Sequence, residues 1–142
     1  MAGKWGPIVA VLTGIVVTAC ASSGRSFEVT LPPGFYHPLP VTLIDHTGLV
    51  TGISEAAVNS GPAFRPVLHH DPVDPNSAIL TWPGGACDSD ATVTLQHDDS
   101  YLITLRTRES AGSGCILVAV PRSIRISTSA PLPIDDVSVT GG

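Results

Sequence analysis

The sequence is poor in charged residues, aromatic residues and lysine. Of its 142 residues, 13% are charged and 5% are aromatic, the formal net charge is −5, and the single lysine is Lys4. Non-specific phosphate binding needs a surplus of basic groups, and single-strand binding needs aromatic side chains for base stacking. Nucleic acid is therefore not an expected partner.

Long apolar runs are missing as well. Although 43% of the residues are hydrophobic, the 14 glycines and 13 prolines are spread along the chain. They leave no uninterrupted stretch of about 18 apolar residues, the length that crosses a bilayer as a helix. This excludes a polytopic membrane protein, and the length of the chain predicts a single domain.

Motifs of common catalytic chemistry are not found. The sequence has no Gly-x-Ser-x-Gly elbow and no glycine-rich phosphate loop. Ser113 lies in a glycine-rich stretch beside Cys115, and no base can be assigned to it. We expect a non-catalytic protein without a cofactor, and a small cell-envelope hydrolase remains an alternative.

The N-terminal residues have the three parts of an export signal. Lys4 precedes an apolar stretch over residues 8–17, which ends in small residues before Cys20. The run Val17-Thr18-Ala19-Cys20 resembles the lipobox of bacterial lipoprotein precursors. The resemblance implies a diacylglyceryl group on the Cys20 thiol and cleavage after Ala19. The alternative is a plain secretory signal, with Cys20 incidental.

Lipidation would decide where the protein resides. Two acyl chains hold a small domain stably at a bilayer surface, whereas one chain binds only marginally. We therefore expect a monomer on the extracytoplasmic face of a bacterial cell membrane, attached through its N-terminal lipid. The expected parts are a signal peptide (1–19), a lipidated flexible tether (20–26) and one β domain (27–142).

Two cysteines remain once Cys20 is assigned to the lipid. Cys87 and Cys115 form an even remainder in an exported chain, which predicts one disulfide. A crosslink over a loop of this length is worth about 3 to 4 kcal/mol in the chain-entropy model. A thiolate metal site or a reactive thiol is the alternative, but neither cysteine has zinc-ligand spacing to a second ligand.

The body of the chain consists of short alternating runs separated by turn residues. Strict alternation predicts strands over residues 92–97 and 101–108, joined by a turn at 98–100. Val93 and Leu95 would point inward from the first strand. A β-hairpin is the clearest local prediction.

The remaining runs predict a chain built of strands. Residues 41–44 and 49–53 flank a turn with Gly48 in the left-handed region, which predicts a second hairpin. Further strands are expected over 78–82 (stopped by Pro83-Gly84-Gly85), 115–120 (buried and central), 123–128 and 137–140. The prolines are expected between strands.

The best helical window, residues 54–58, allows one turn at most. We therefore predict an all-β fold, specifically an antiparallel β-sandwich of Ig-like architecture with seven to eight short strands.

One polar cluster stands out in the body. His69 and His70 are followed by Asp71 and Asp74, residue types that bind transition metals or calcium. Adjacent histidines in a strand point to opposite faces, and the nearby prolines favour a solvated loop. A metal-binding lipoprotein using these residues is therefore an alternative to a β domain that binds an unidentified partner or ligand.

The run from Trp82 to Asp88, with Cys115 downstream, is the most distinctive part of the body. It resembles a motif of small uncharacterised exported bacterial domains, in which a tryptophan, two glycines and Cys-Asp precede a second cysteine. The resemblance covers about residues 41–140 and implies no activity. We expect Trp82 to pack against the disulfide, with contact to a ligand as the alternative.

Overall fold

The computed structural model describes residues 24–33, 37–57, 64–110 and 118–141. These ranges contain nine strands and one short 3-10 helix, Ile134–Asp136, which confirms the predicted all-β class. The strands are β1 (Arg25–Leu31), β2 (Leu39–Asp45), β3 (Val50–Glu55), β4 (Val67–His70), β5 (Ser77–Gly85), β6 (Asp88–His97), β7 (Tyr101–Glu109), β8 (Ala119–Thr128) and β9 (Val137–Gly141).

The strands form two sheets. One has five strands in the order β1-β2-β6-β7-β9, and the other has four in the order β3-β8-β5-β4. The four-stranded sheet is antiparallel throughout, but β2–β6 and β7–β9 are parallel pairs. The expectation of purely antiparallel pairing was wrong for these two pairs. Each is connected through strands of the other sheet, and such a crossover lets the chain return in the same direction.

Both sheets contribute to one hydrophobic cluster. The alternate side chains of β6 and β7 point into it, as predicted, and the four-stranded sheet adds the largest group, Trp82. Its fully buried members include Leu39, Val41, Leu43, Val50, Leu80, Trp82, Val93, Leu95, Ile103, Ile124 and Ile126. These residues exclude water from the space shared by the two sheets.

The predicted hairpin of β6 and β7 is confirmed. Val93 lies opposite Leu105 and Leu95 lies opposite Ile103. The rings of His97 and Tyr101 lie 4.2 Å apart between centroids where the turn begins and ends. β6 starts at Asp88, four residues before the predicted start at residue 92.

The second predicted hairpin is wrong, because β2 and β3 belong to different sheets. The buried Asp45 holds the connection between them. Its Oδ1 accepts hydrogen bonds from the backbone N–H of Thr47 (2.8 Å) and the Thr47 hydroxyl (2.6 Å), and its Oδ2 accepts one from the N–H of Val50 (3.0 Å). Gly48 does adopt the left-handed region, at φ 76°. The carboxylate takes up backbone donors that a hairpin ladder would otherwise satisfy.

Prolines lie within strands, contrary to expectation. β5 continues through Pro83 to Gly85, and Pro83 lies opposite Pro121 of β8. β4 pairs with β5 only as far as Thr81, and β3 pairs with β8 only as far as Ile124. The sheet is therefore two strands wide at the prolines. The missing N–H groups therefore cost no hydrogen bond to a third strand. Pro40 likewise lies in β2, just before its pairing with β6 begins.

Two strands were not predicted, β1 and β4. β1 begins at Arg25, inside the predicted tether. Its apolar residues Phe27 and Val29 alternate with polar ones, a period-2 pattern that is visible in the sequence. β4 is only four residues long. The predicted helical turn is absent from the described part of its window, because Ser54 and Glu55 belong to β3.

The predicted strand over residues 115–120 differs from the structure. Its first three residues lie outside the described ranges, Val118 and Ala119 are exposed, and the chain becomes buried only at Val120. β8 thus begins later than the predicted strand, and most of its buried residues belong to the run over 123–128 that was predicted as the next strand. It is central in its sheet, between β3 and β5.

The N-terminal residues with Cys20 lie outside the described ranges. Among the described residues, no helix has the length and hydropathy needed to cross a bilayer.

Candidate functional site: a cavity on the four-stranded sheet

The outer face of the four-stranded sheet forms one wall of a cavity. In β5 and β8 the core takes alternate residues, so that Ile79, Thr81 and Arg125 point away from it. The end of β4 and the residues after it complete the lining. The cavity has a volume of about 280 Å³ and is lined by Ala57, His69, His70, Asp71, Pro72, Val73, Ile79, Thr81 and Arg125.

An ion pair anchors one side of this cavity. Arg125 Nε donates to Asp71 Oδ2 at 2.6 Å, and the backbone N–H of Val73 donates to Asp71 Oδ1 at 2.9 Å. The Asp71 side chain is 0% exposed, whereas that of Arg125 is 37% exposed. The carboxylate therefore orients the guanidinium from the protein side.

The pKa of Asp71 is lowered below its ordinary value. The backbone N–H of Val73 is the largest cause and the hydrogen bond from Arg125 the second, and both outweigh the opposing effect of burial. Donors to the charged form favour ionisation. The carboxylate consequently stays ionised, and Arg125 stays oriented, over a wider acidic range than an ordinary aspartate allows.

Arg125 retains free donors. Within the described part of the chain, the only hydrogen-bonding partner of its side chain is Asp71, which Nε contacts. A guanidinium carries five N–H donors in a planar fork. Its two terminal nitrogens therefore remain available to a molecule in the cavity.

The polar cluster singled out in the sequence is divided by the fold. His69 and His70 end β4, the first half-buried and the second exposed, and both line the cavity. Asp71 is held by Arg125, whereas Asp74 forms a turn, accepting from the N–H of Asn76 and the hydroxyl of Ser77, each at 2.9 Å.

The described residues include no group of three or more His, Cys, Asp or Glu side chains placed to hold a metal ion. His69, His70, Asp71 and Asp74 thus do not form a ligand set of that kind. Asp71 was instead found to belong to a cavity wall, a role that no local pattern in the sequence indicated.

The rest of the cavity is largely apolar. Ala57, Pro72 and Ile79 contribute to the wall, and Val73, which is 84% exposed, lies at its rim. The Thr81 hydroxyl is already paired, because its oxygen lies 2.8 Å from that of Ser123. Apolar walls with a few fixed polar groups are typical of small-molecule sites.

Trp82 and Cys87 are not part of this cavity's lining. Trp82 is fully buried in the core and has no surface for contact with a ligand in this structure. Cys87 lies in the turn between β5 and β6, and Cys115 lies outside the described residues. Their pairing, and the packing of Trp82 against it, stay predictions.

A second polar cluster lies near the start of β6. The buried Arg122 donates from Nη1 to the carbonyl of Pro32 at 3.0 Å, and Asp88 Oδ2 accepts from the N–H of Gly85 at 2.8 Å. Burial lowers the pKa of Arg122, and the charge of Asp88 opposes that shift. A Cβ at Gly84 would lie 2.9 Å from Arg122 Cγ.

The absence of a side chain at Gly84 and Gly85 therefore makes room for Arg122 and Asp88. The expected end of the strand at Pro83-Gly84-Gly85 is wrong, since all three residues lie in β5. The cavity beside Arg122 measures only about 80 Å³ and is also lined by Glu55. The larger cavity on the four-stranded sheet is therefore the stronger candidate for a ligand site.

Comparison of the chain with models of protein families, with curated proteins and with solved structures finds no match. A fold by itself does not define an activity, whereas the residues of a site limit what it can bind.

Proposed function

We propose that this protein is a lipid-anchored binding protein of the bacterial cell envelope. Its two sheets would form an Ig-like β-sandwich held at the extracytoplasmic face of the membrane by a lipid on Cys20, and its cavity would bind a small ligand without catalysis. The observation that carries the binding role is the cavity of about 280 Å³ into which Asp71 orients the guanidinium of Arg125.

The anchor is supported by the sequence Val17-Thr18-Ala19-Cys20 and by the position of β1. β1 begins at Arg25, five residues after Cys20. A fully extended chain covers at most about 3.6 Å per residue, so at most about 18 Å would separate the lipidated residue from the domain. The domain would lie against the bilayer surface.

The cavity lies toward the end of the domain where β1 begins. Arg25 pairs with Asp45, Asp45 bonds to Val50, and Val50 pairs with Thr128. The N–H of Thr128 donates to the carbonyl of Asn76 at 2.8 Å, in the loop that follows the cavity-lining residues. A lipid attached just before β1 would therefore bring the cavity close to the membrane.

The disulfide between Cys87 and Cys115 is part of the same proposal. The N–H of Ser110 donates to the carbonyl of Cys87 at 2.9 Å, and the N–H of Ala86 donates to the carbonyl of Val118 at 3.2 Å. Cys115 belongs to the short segment between Ser110 and Val118 and precedes Val118 by three residues. Three residues span about 10 Å at most, which keeps Cys115 within reach of the turn that carries Cys87.

Fractionation of bacterial cells tests the anchor. The wild-type protein is expected in the membrane fraction, and Cys20→Ala is expected to be released from it. Ser22→Ala is the matched control, because it retains the lipidated residue and both cysteines of the proposed disulfide. Retention of Cys20→Ala in the membrane to the wild-type extent would contradict the anchor.

Intact-mass measurement tests the disulfide. Reduction should add two hydrogen atoms to the mass of the purified protein, and alkylation before reduction should leave Cys87 and Cys115 unmodified. Alkylation of both thiols in the native protein would exclude the bond.

A fragment screen by ligand-observed NMR tests the binding role. Val73→Trp places a bulky side chain at the rim of the cavity, and because Val73 is exposed the fold should tolerate it. We expect fragments that bind the wild type to be lost in Val73→Trp and kept in Phe64→Trp, an equally exposed position outside the cavity lining. Identical binding profiles for all three proteins would refute a ligand site here.

A further inference from the structure

We propose that the ligand of this cavity is a small organic carboxylate. Its carboxylate would accept hydrogen bonds from the terminal nitrogens of Arg125, and an apolar body would fill the space beside Ile79 and Pro72. This inference rests on the proposed binding function and specifies the ligand class of the same site.

The preference for an anion follows from how the ion pair is built. Both oxygens of Asp71 are already engaged, by Val73 and Arg125, and its side chain is 0% exposed. A cation in the cavity would therefore find no accessible carboxylate among the lining residues. The guanidinium of Arg125 is partly exposed and has donors left, so the accessible charge of the pair is positive.

The preference for a carboxylate follows from geometry. A guanidinium presents parallel N–H groups that match the two oxygens of a carboxylate. Because Asp71 holds Nε, the orientation of the fork is set before a ligand arrives, which reduces the entropy lost on binding. Among the described lining residues, Arg125 is the only lysine or arginine, whereas phosphate sites commonly combine several cationic or backbone donors.

The volume limits the size of the ligand. A cavity of about 150 Å³ accommodates benzene. The cavity beside Arg125 has about 280 Å³, which suits one aromatic ring or a short alkyl chain together with a carboxylate. His69 and His70 add polar groups at the β4 side, so the apolar body is expected against Ile79 and Pro72.

Calorimetric titration of the full purified protein tests this assignment with three matched probes. These are 4-methylbenzoate, the neutral 4-methylbenzyl alcohol and phenyl phosphate. We expect the carboxylate to bind at least about tenfold more tightly than the alcohol, because a hydrogen bond to a charged group contributes more than a neutral one. We expect it to bind more tightly than the phosphate, because a single guanidinium fork matches the two oxygens of a carboxylate and the described lining adds no second arginine or lysine. This comparison uses the wild type and does not depend on the folding of a variant.

Two variants locate the charge. Arg125→Gln should weaken carboxylate binding at least about tenfold and weaken alcohol binding less, since the substitution removes the charged fork together with the hydrogen bond that Nε donates to Asp71. Arg106→Gln is the matched control, because Arg106 is an exposed arginine on the other sheet. Its carboxylate affinity should equal that of the wild type.

The outcomes separate this inference from the proposed function. Equal binding of carboxylate and alcohol, tighter binding of phosphate, or an unchanged carboxylate affinity in Arg125→Gln would overturn the carboxylate assignment. If some fragments still bind the wild type and are lost in Val73→Trp, the proposed binding function stands although the carboxylate assignment does not. A protein that binds neither the probes nor any fragment in the cavity overturns both.

Discussion

The two sheets share a core but differ in what they do with their other face. On the five-stranded sheet, outward residues such as Thr94 and Gln96 are half-buried and Arg106 is exposed. On the four-stranded sheet, the outward Thr81 and Ser123 are each only 2% exposed. The outer face of the five-stranded sheet is thus a solvated surface. The outer face of the four-stranded sheet, here named the covered face, is buried at Thr81 and Ser123 and carries the cavity.

Polar side chains on the covered face are satisfied by one another. The hydroxyl oxygens of Thr81 and Ser123 lie 2.8 Å apart and those of Ser77 and Ser127 lie 3.3 Å apart. Both are directly opposed pairs of β5 and β8. A serine or threonine on a strand therefore does not identify a solvent-facing position, because cross-strand hydroxyl pairs allow burial.

The largest predicted effects concern the shared core and should be alike in the two sheets. Leu80→Ala in the four-stranded sheet and Leu95→Ala in the five-stranded sheet each remove a fully buried side chain. Each should lower the free energy of unfolding by about 2 to 5 kcal/mol. Urea unfolding measures both, and a loss below about 1 kcal/mol for one of them alone would show that its sheet contributes little to the core.

The outer faces should respond differently to loss of a hydroxyl. Thr81→Val leaves the hydroxyl of Ser123 buried without its partner, which should cost about 1 to 3 kcal/mol. Thr94→Val, on the solvated face, should change stability by no more than about 0.5 kcal/mol. Adding Ser123→Ala to Thr81→Val should recover much of the loss. Equal effects of the two threonine substitutions would remove the contrast.

Acidification should reveal the ion pair of the covered face. Because the pKa of Asp71 is lower in the folded protein than its ordinary 3.8, its stabilisation is complete well above that value and is lost as the pH falls through the lowered pKa. The stability advantage of wild type over Asp71→Asn should therefore be constant near neutrality and shrink below pH 3.8. An advantage that does not change with pH would assign the effect of Asp71 to packing.

The smallest effect on stability is expected on the five-stranded sheet. The pair between Arg108 Nε and Asp90 Oδ2 is long, at 3.7 Å, and the side chains are 78% and 36% exposed. Arg108→Gln should therefore change the free energy of unfolding by about 0.5 kcal/mol or less. A larger loss would show that this surface is less solvated than its exposure indicates.

The accuracy of the sequence interpretation follows the same division between the sheets. β6 and β7 have one inward and one outward face, so Val93, Leu95, Ile103 and Leu105 could be placed from alternation. In β5 and β8 three outward residues, Ser77, Thr81 and Ser123, are buried in addition to the inward ones. Their period-2 signal is therefore weaker, and the ends at Gly85 and Ala119 were misplaced.

The candidate site was only partly visible in the sequence. The cluster His69-His70-Asp71 was found because polar residues concentrate there, and Arg125 lies in a run that was predicted to be a strand. The bond between Asp71 and Arg125 could not be predicted, since it joins residues 54 positions apart. Thr81 was assigned to a strand, but nothing local indicated that it borders a cavity.

The local pattern by itself determined the all-β class, most strand positions and the inward faces of the alternating strands, because side-chain direction depends only on period 2. Only the tertiary structure decided that β2 pairs with β6 rather than β3, and that Asp71 orients Arg125. Loop closure becomes only slightly more costly as loops lengthen, so chain distance discriminates poorly between alternative pairings. The choice among them depends on burial in a common core and on the carboxylates, Asp45 and Asp71, that hold the connecting segments.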